Sequence, residues 1–189
     1  MLLSDIATIN PGHPFRSKIP SIETGSTAVV QMKDCSKAAG LDWSQCQRTE
    51  LTNKKAPDWL QTGDVLFLAR GNSNYAVLVD TTHAPFPAVV TPHFYVLRVK
   101  EKNIYPAFLV WQLNQAPCQR YFEQNAEGTH AKSIRRQVLE ETQIAIPSLR
   151  QQATIVKLSD GLRQQQLLMQ ELQQKDEQIM GAIAATLLD

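Results

Sequence analysis

Glycine is scarce in the places where nucleotide enzymes need it. No two of the eight glycines stand at G-x-G spacing and no G-x-x-x-x-G-K-[ST] occurs. That removes the usual phosphate and dinucleotide cradles. The three cysteines, Cys35, Cys46 and Cys118, are odd in number and widely spaced, so neither a disulfide framework nor a C-x-x-C site is present. The four histidines, His13, His83, His93 and His130, lie far apart without H-E-x-x-H, and no metal site is expected. Ser26, Ser73 and Ser133 stand near turn residues, but nothing marks one as an activated nucleophile, so catalysis is not expected within this chain. No apolar run reaches the roughly 18 residues of a membrane span. The start, MLLSDIATINPG, has no basic n-region and meets Asp5 early, which predicts a cytoplasmic chain without a leader. An excess of one charge is also lacking. Lys+Arg number 19 against 18 Asp+Glu, a net +1 that speaks against a histone-like binder if the charge is evenly spread.

It is not evenly spread. All 10 prolines, all 13 aromatic residues and six of the eight glycines precede residue 151. Residues 1–150 carry 16 Lys+Arg and 13 Asp+Glu, a net +3, whereas residues 151–189 carry 3 and 5, a net −2. A mildly basic globule is thus followed by an acidic, Gln- and Leu-rich tail. The fold class expected is mixed α+β, a globular domain with a twisted β-sheet and short helices, followed by one long C-terminal helix. The boundary is placed between residues 147 and 148, giving domains 1–147 and 148–189.

Short apolar runs bounded by turn residues predict strands at Val29–Met32, Val65–Leu68, Ala76–Val79, Phe94–Val99 and Gln143–Ile146. Pro106 suits the first turn of a helix over Ala107–Gln115, which Pro117 interrupts. Residues 36–62 carry no firm assignment. In the tail, Ser148 and Gln151 fit a capping box. Heptads counted from Ile155 put Ile155, Leu162, Met169, Asp176 and Ile183 at a, and Leu158, Gln165, Leu172, Ile179 and Thr186 at d. Seven of these ten are apolar, one narrow sticky stripe on a helix of roughly 58 Å. It either folds back on its own domain or joins another helix as a coiled-coil arm.

Two loops carry chemistry that suits nucleic acid. Arg70-Gly71-Asn72-Ser73-Asn74-Tyr75 joins two predicted strands, and Arg70, Asn72 and Asn74 are of the types that form paired hydrogen bonds with guanine or adenine. An ordinary polar hairpin has the same composition. Gly128-Thr129-His130-Ala131-Lys132-Ser133-Ile134-Arg135-Arg136 has four potential cations and no acid. Lys132, Arg135 and Arg136 suit phosphates, and Thr129, His130 and Ser133 suit phosphates or base edges. A solvated basic face is the alternative. Lys54-Lys55 makes a smaller basic spot.

Five segments, in order, resemble one family. They are Leu3-Ser-Asp-Ile-Ala-Thr-Ile-Asn-Pro-Gly12, Gly63-Asp-Val-Leu-Phe67, Tyr105-Pro-Ala-Phe-Leu109, Gly128-Thr-His-Ala-Lys-Ser-Ile134 and Ile144-Ala-Ile-Pro-Ser-Leu-Arg-Gln-Gln-Ala-Thr-Ile-Val156. The layout resembles one target-recognition domain plus one helical spacer from the specificity subunit of type I restriction–modification systems. Such subunits usually hold two of each, so the resemblance implies a half-size form that pairs with its own copy. The spacers of this family pack as an antiparallel coiled coil, and two-fold symmetry would then make the target a gapped inverted repeat.

The resemblance implies no catalysis and no cofactor on this chain. It implies sequence-specific recognition of double-stranded DNA, docking of an adenine methyltransferase subunit that binds S-adenosylmethionine, and a restriction-translocation subunit joining them. Thr129, His130 and Lys132 become the leading DNA contacts, and Ile155, Leu158, Leu162, Met169, Leu172, Ile179 and Ile183 the helix interface. The rival expectation is a coiled-coil adaptor without DNA contact.

Overall fold

Val65-Leu66-Phe67-Leu68 offers solvent no polar side chain on either face, and the structure covers both. This computed structural model describes residues 1–15, 18–51, 56–128 and 131–187. Helix α1 (Leu3–Ile6) leads into β1 (Ala7–Pro11). Next come β2 (Thr27–Val30), a small hairpin of β3 (Cys35–Ser36) and β4 (Gly40–Leu41), and β5 (Gln47–Thr49). Strands β6 (Val65–Leu68), β7 (Arg70–Gly71), β8 (Ala76–Leu78), β9 (Ala88–Val90) and β10 (Phe94–Val99) follow. The remainder is α2 (Pro106–Leu113), α3 (Ala116–Asn125), β11 (Lys132–Ser133), α4 (Arg136–Glu140) and α5 (Leu149–Thr186).

An antiparallel sheet in the order β1-β10-β6-β8 forms the middle layer. Successive strand side chains point to opposite faces, so a strand covered twice reads as an unbroken apolar run. Val65 and Phe67 meet Phe108, Leu109, Leu113 and Phe122 on the helical side. Leu66 and Leu68 meet Ala28, Val30 and Val90 of the smaller sheet β5-β2-β9. Helices, four strands and three strands make three layers.

The turn before β6 explains its Gly-Asp pair. Gly63 has φ +94°, a left-handed conformation that glycine adopts freely. The nearly buried Asp64 carboxylate accepts the Gln61 N–H at 2.9 Å and takes two bonds from the Arg98 guanidinium, at 2.8 and 3.0 Å. Arg98 also donates to the Trp59 carbonyl at 2.7 Å, fastening the preceding loop to β10.

Three expectations need correction. Residues 143–146 join no sheet. Leu2 bridges Gln143, the Ile144 N–H donates to the Met1 carbonyl, and the Gln112 amide pairs with both backbone groups of Ala145 at 2.8 and 2.9 Å. A side chain and the chain start replace a neighbouring strand. Pro117, in turn, opens α3 instead of merely ending a helix, because a first-turn N–H needs no partner. The strand expected at Val29–Met32 is β2, two residues earlier, with Met32 in a 3₁₀ turn (Met32–Asp34).

The capping box at Ser148 is present: its hydroxyl accepts from the Gln151 N–H, and the Gln151 side chain accepts from the Ser148 N–H at 3.1 Å. Beyond its first two turns α5 leaves the globule. Among the described residues no helix is long and apolar enough to cross a membrane.

Candidate nucleic-acid interface

Strand pairing brings five chain segments to one end of the sheets. Pro11 pairs with Tyr95, Leu68 with Phe94, and Val30 with Val90, so β1, β2, β6 and β9 all end where β10 begins. Backbone bonds weave the exits together. The Ala69 and Arg70 N–H groups donate to the His93 carbonyl at 2.8 and 3.2 Å, and Thr91 N–H donates to the Val30 carbonyl at 3.0 Å. Gly12 lies so close to this weave that a Cβ there would stand 2.2 Å from the Thr91 carbonyl oxygen. The glycine of the Asn-Pro-Gly segment therefore allows backbone to pass backbone.

On this rim the two candidate loops become one site. β7 and β11 form a two-stranded ladder that sets Arg70 opposite Ser133 and Gly71 opposite Lys132. Buried Ile134 anchors it, donating its N–H to the Ala69 carbonyl at 2.8 Å. The β11 loop turns at Gly128, where φ is +93° and a Cβ would stand 2.5 Å from the Ala131 carbonyl oxygen. Thr129 and His130 lie outside the described residues, as do Lys54 and Lys55.

The cations are not equivalent. Arg135 forms a two-point pair with Glu127, both bonds 2.8 Å, and Arg136 pairs with Glu140 at 2.7 Å. Neighbouring carboxylates thus offset their charge. Exposed Arg70 and half-buried Lys132 are in no ion pair among the described residues. Asn72 is exposed beside them. Asn74 is corrected to a structural residue. It is buried and its NH₂ donates to the Leu68 and Ala69 carbonyls at 3.0 and 3.1 Å, which leaves it no donor for a base.

The foot of α5 sits at the other end of the central sheet, beside the segment that follows β10. Its anchor is Gln152, fully buried. The carboxamide oxygen accepts the Tyr105 N–H at 2.9 Å, and its NH₂ donates to the Asn103 and Pro147 carbonyls, both at 2.8 Å. In a tail crowded with glutamines only its place four residues after the capping serine marks it, and the sequence reading passed over it. Ile155, the first residue expected on the helix interface, packs half-buried with Val156 against the globule's core. Leu158, Leu162, Met169, Leu172, Ile179 and Ile183 are each 49–63% exposed, a stripe with no cover among the described residues.

Burial pushes the Cys35 and Cys46 thiols up to about 12 and raises Cys118, so none supplies a thiolate near neutral pH. Among the described residues no group of three or more His, Cys, Asp or Glu could hold a metal ion.

Comparison with known proteins adds to this geometry. A search of curated proteins returned no match. Among solved structures, a chain from work on complex assembly and conformational transition of the type I R-M system aligns with a TM-score of 0.65 and 18% identity, covering 93% of this chain and 40% of that one. The type I restriction-modification S subunit from M. genitalium aligns at 0.56 and 13%, covering 84% and 37%. The HsdS subunit from Thermoanaerobacter tengcongensis aligns at 0.56 and 18%, covering 87% and 36%. At these identities the likeness is one of fold, and the chain spans about two fifths of the length of each. The family described as type I restriction modification DNA specificity domain matches residues 1–178. With its sequence matched over nearly its whole length, the chain belongs to that family.

Proposed function

We propose that this chain reads one half of a DNA target for a type I restriction–modification complex and adds no chemistry of its own. One observation carries the reading beyond family membership: the β7–β11 ladder gathers Arg70, Asn72, Lys132 and Ser133 on one rim, with cations that no carboxylate among the described residues answers. Guanidinium and amide groups suit base edges in the major groove, while ammonium and hydroxyl groups suit phosphates. Residues 1–147 act as the recognition domain and 148–189 as the spacer. An adenine methyltransferase subunit binding S-adenosylmethionine, with a restriction-translocation subunit, completes the complex.

The same reading assigns α5 a second copy of this chain as its partner. Run antiparallel, the exposed stripe complements itself. Leu158 meets Ile183, Leu162 meets Ile179 and Met169 meets Leu172, while polar Gln165 meets polar Asp176. A polar layer that matches itself fixes register and disfavours shifted pairings.

The test is co-expression with a type I adenine methyltransferase subunit, followed by mapping of methylated adenines. A gapped inverted-repeat motif is expected, and Arg70→Ala with Lys132→Ala should abolish it or relax it at defined positions. An unaltered motif in that variant removes the rim from recognition. A complex that assembles but never engages DNA leaves the adaptor reading instead.

A further inference from the structure

Beside the rim, Lys18, Ile19, Pro20, Ser21, Lys33 and Gln47 line an open groove of about 590 Å³. Two of the six are cations and none is acidic. The groove is fastened from below. Gln47 on β5 donates to the Ile19 carbonyl at 2.9 Å and accepts from the Gln31 amide at 3.0 Å, holding the segment that carries Lys18 against the smaller sheet. Lys33 stands in the 3₁₀ turn directly after β2, so it leaves the sheet at the rim end. Its ammonium is 3.8 Å from the buried Asp34 carboxylate and donates to the Gln45 carbonyl at 3.5 Å, yet its side chain is 62% exposed. Both contacts are long, and the ammonium keeps capacity for a stronger partner.

Groove and ladder are linked through Met32, the neighbour of Lys33. The Met32 sulfur lies 3.7 Å from where a Gly71 Cβ would sit, so half-exposed Met32 bridges Lys33 to Arg70. A closed pocket would suit a small anion. An open trough lined by two lysines and a serine, near the proposed base-reading ladder, suits a linear polyanion.

We propose that this groove holds the phosphodiester backbone of DNA flanking the half-site, with Lys18 and Lys33 as phosphate contacts. The inference rests on the DNA reading above and extends it to residues on the opposite side of Met32 from the ladder. Its role is affinity and orientation, not choice of base.

Fluorescence anisotropy of the full chain with a random-sequence 20-bp duplex, from about 50 to 200 mM salt, tests it. Each phosphate contact contributes about 0.9 to the log–log salt slope, so Lys18→Ala with Lys33→Ala should make it shallower by about 1.8. Lys18→Arg with Lys33→Arg should restore it. Lys100→Ala with Lys102→Ala, at the far end of β10, should leave it unchanged. An Ala variant that melts like the parent and keeps the parental slope overturns the groove while leaving the ladder in place. A control pair that loses as much slope as the groove pair overturns it too, since binding would then follow overall charge. If the parent chain binds no duplex at any salt, the DNA reading falls and the groove falls with it.

Discussion

Gln152 carries more of this architecture than its neighbours in the sequence suggest. One fully buried carboxamide satisfies three backbone groups from two loops. Gln152→Leu keeps the volume but orphans the Tyr105 N–H and the Asn103 and Pro147 carbonyls. It should cost about 2–4 kcal/mol in urea unfolding; a loss under about 1 kcal/mol would remove Gln152 as the anchor. Asp34 presents the opposite case. Its carboxylate is buried, one oxygen lacks a hydrogen-bond partner, and burial holds its pKa above the usual carboxylate range. The folded chain therefore keeps this proton at pH values where the unfolded chain has lost it, and stability falls as pH rises through that window. Asp34→Asn should flatten this dependence above pH 4 and raise the melting temperature at pH 7; a variant with the parental pH profile would show that Asp34 is not its source. Neither role is legible in sequence. Asn72 and Asn74 show why: two amides two positions apart look alike until the fold turns one inward.

At the scale of elements, the sequence spoke clearly wherever burial alone determines the pattern. β6 and β10 have the limits their apolar runs predict, because both faces of each are covered. It spoke poorly wherever a side chain substitutes for a strand. Gln112 does this for residues 143–146. Asn114 does it at the sheet edge, bonding both backbone groups of Ala76 at 2.9 and 2.8 Å. Residues 36–49 carry no clear pattern because strands and turns of two or three residues are too short to show periodicity. Helix α5 was readable through its cap and heptads, although Ile155 belongs to the foot and not to the stripe. Leu162→Asp with Leu172→Asp should abolish self-association, read by light scattering, while the globule's near-UV circular dichroism stays unchanged. Both positions are exposed in the single chain, so the substitutions disturb no core. A variant still dimeric would refute the stripe as the contact.

The whole molecule places the rim and the foot of α5, to which the proposed function gives separate tasks, at opposite ends of one doubly covered sheet. The layers beneath the rim are held by apolar contact, and the foot of α5 rests on different residues altogether. On the proposed reading, one recognition domain with a few phosphate contacts binds weakly, so joining two through α5 should matter more than any single contact. The parent chain is expected to bind a duplex carrying both half-sites at least about 10²-fold more tightly than one carrying a single half-site. The Leu162→Asp, Leu172→Asp variant should lose that difference, and equal ratios for the two proteins would show that α5 does not link the sites.

The narrow footing of so long a helix also sets an angular tolerance. From the Gln152 anchor to its far tip α5 extends roughly 50 Å, so a tilt of about 5° sweeps the tip through more than the ~3.4 Å rise of a base pair. On the proposed reading of α5 as a spacer, three hydrogen bonds to one buried amide are the bearing of a measuring arm, and their stiffness sets how sharply a gap between half-sites is counted.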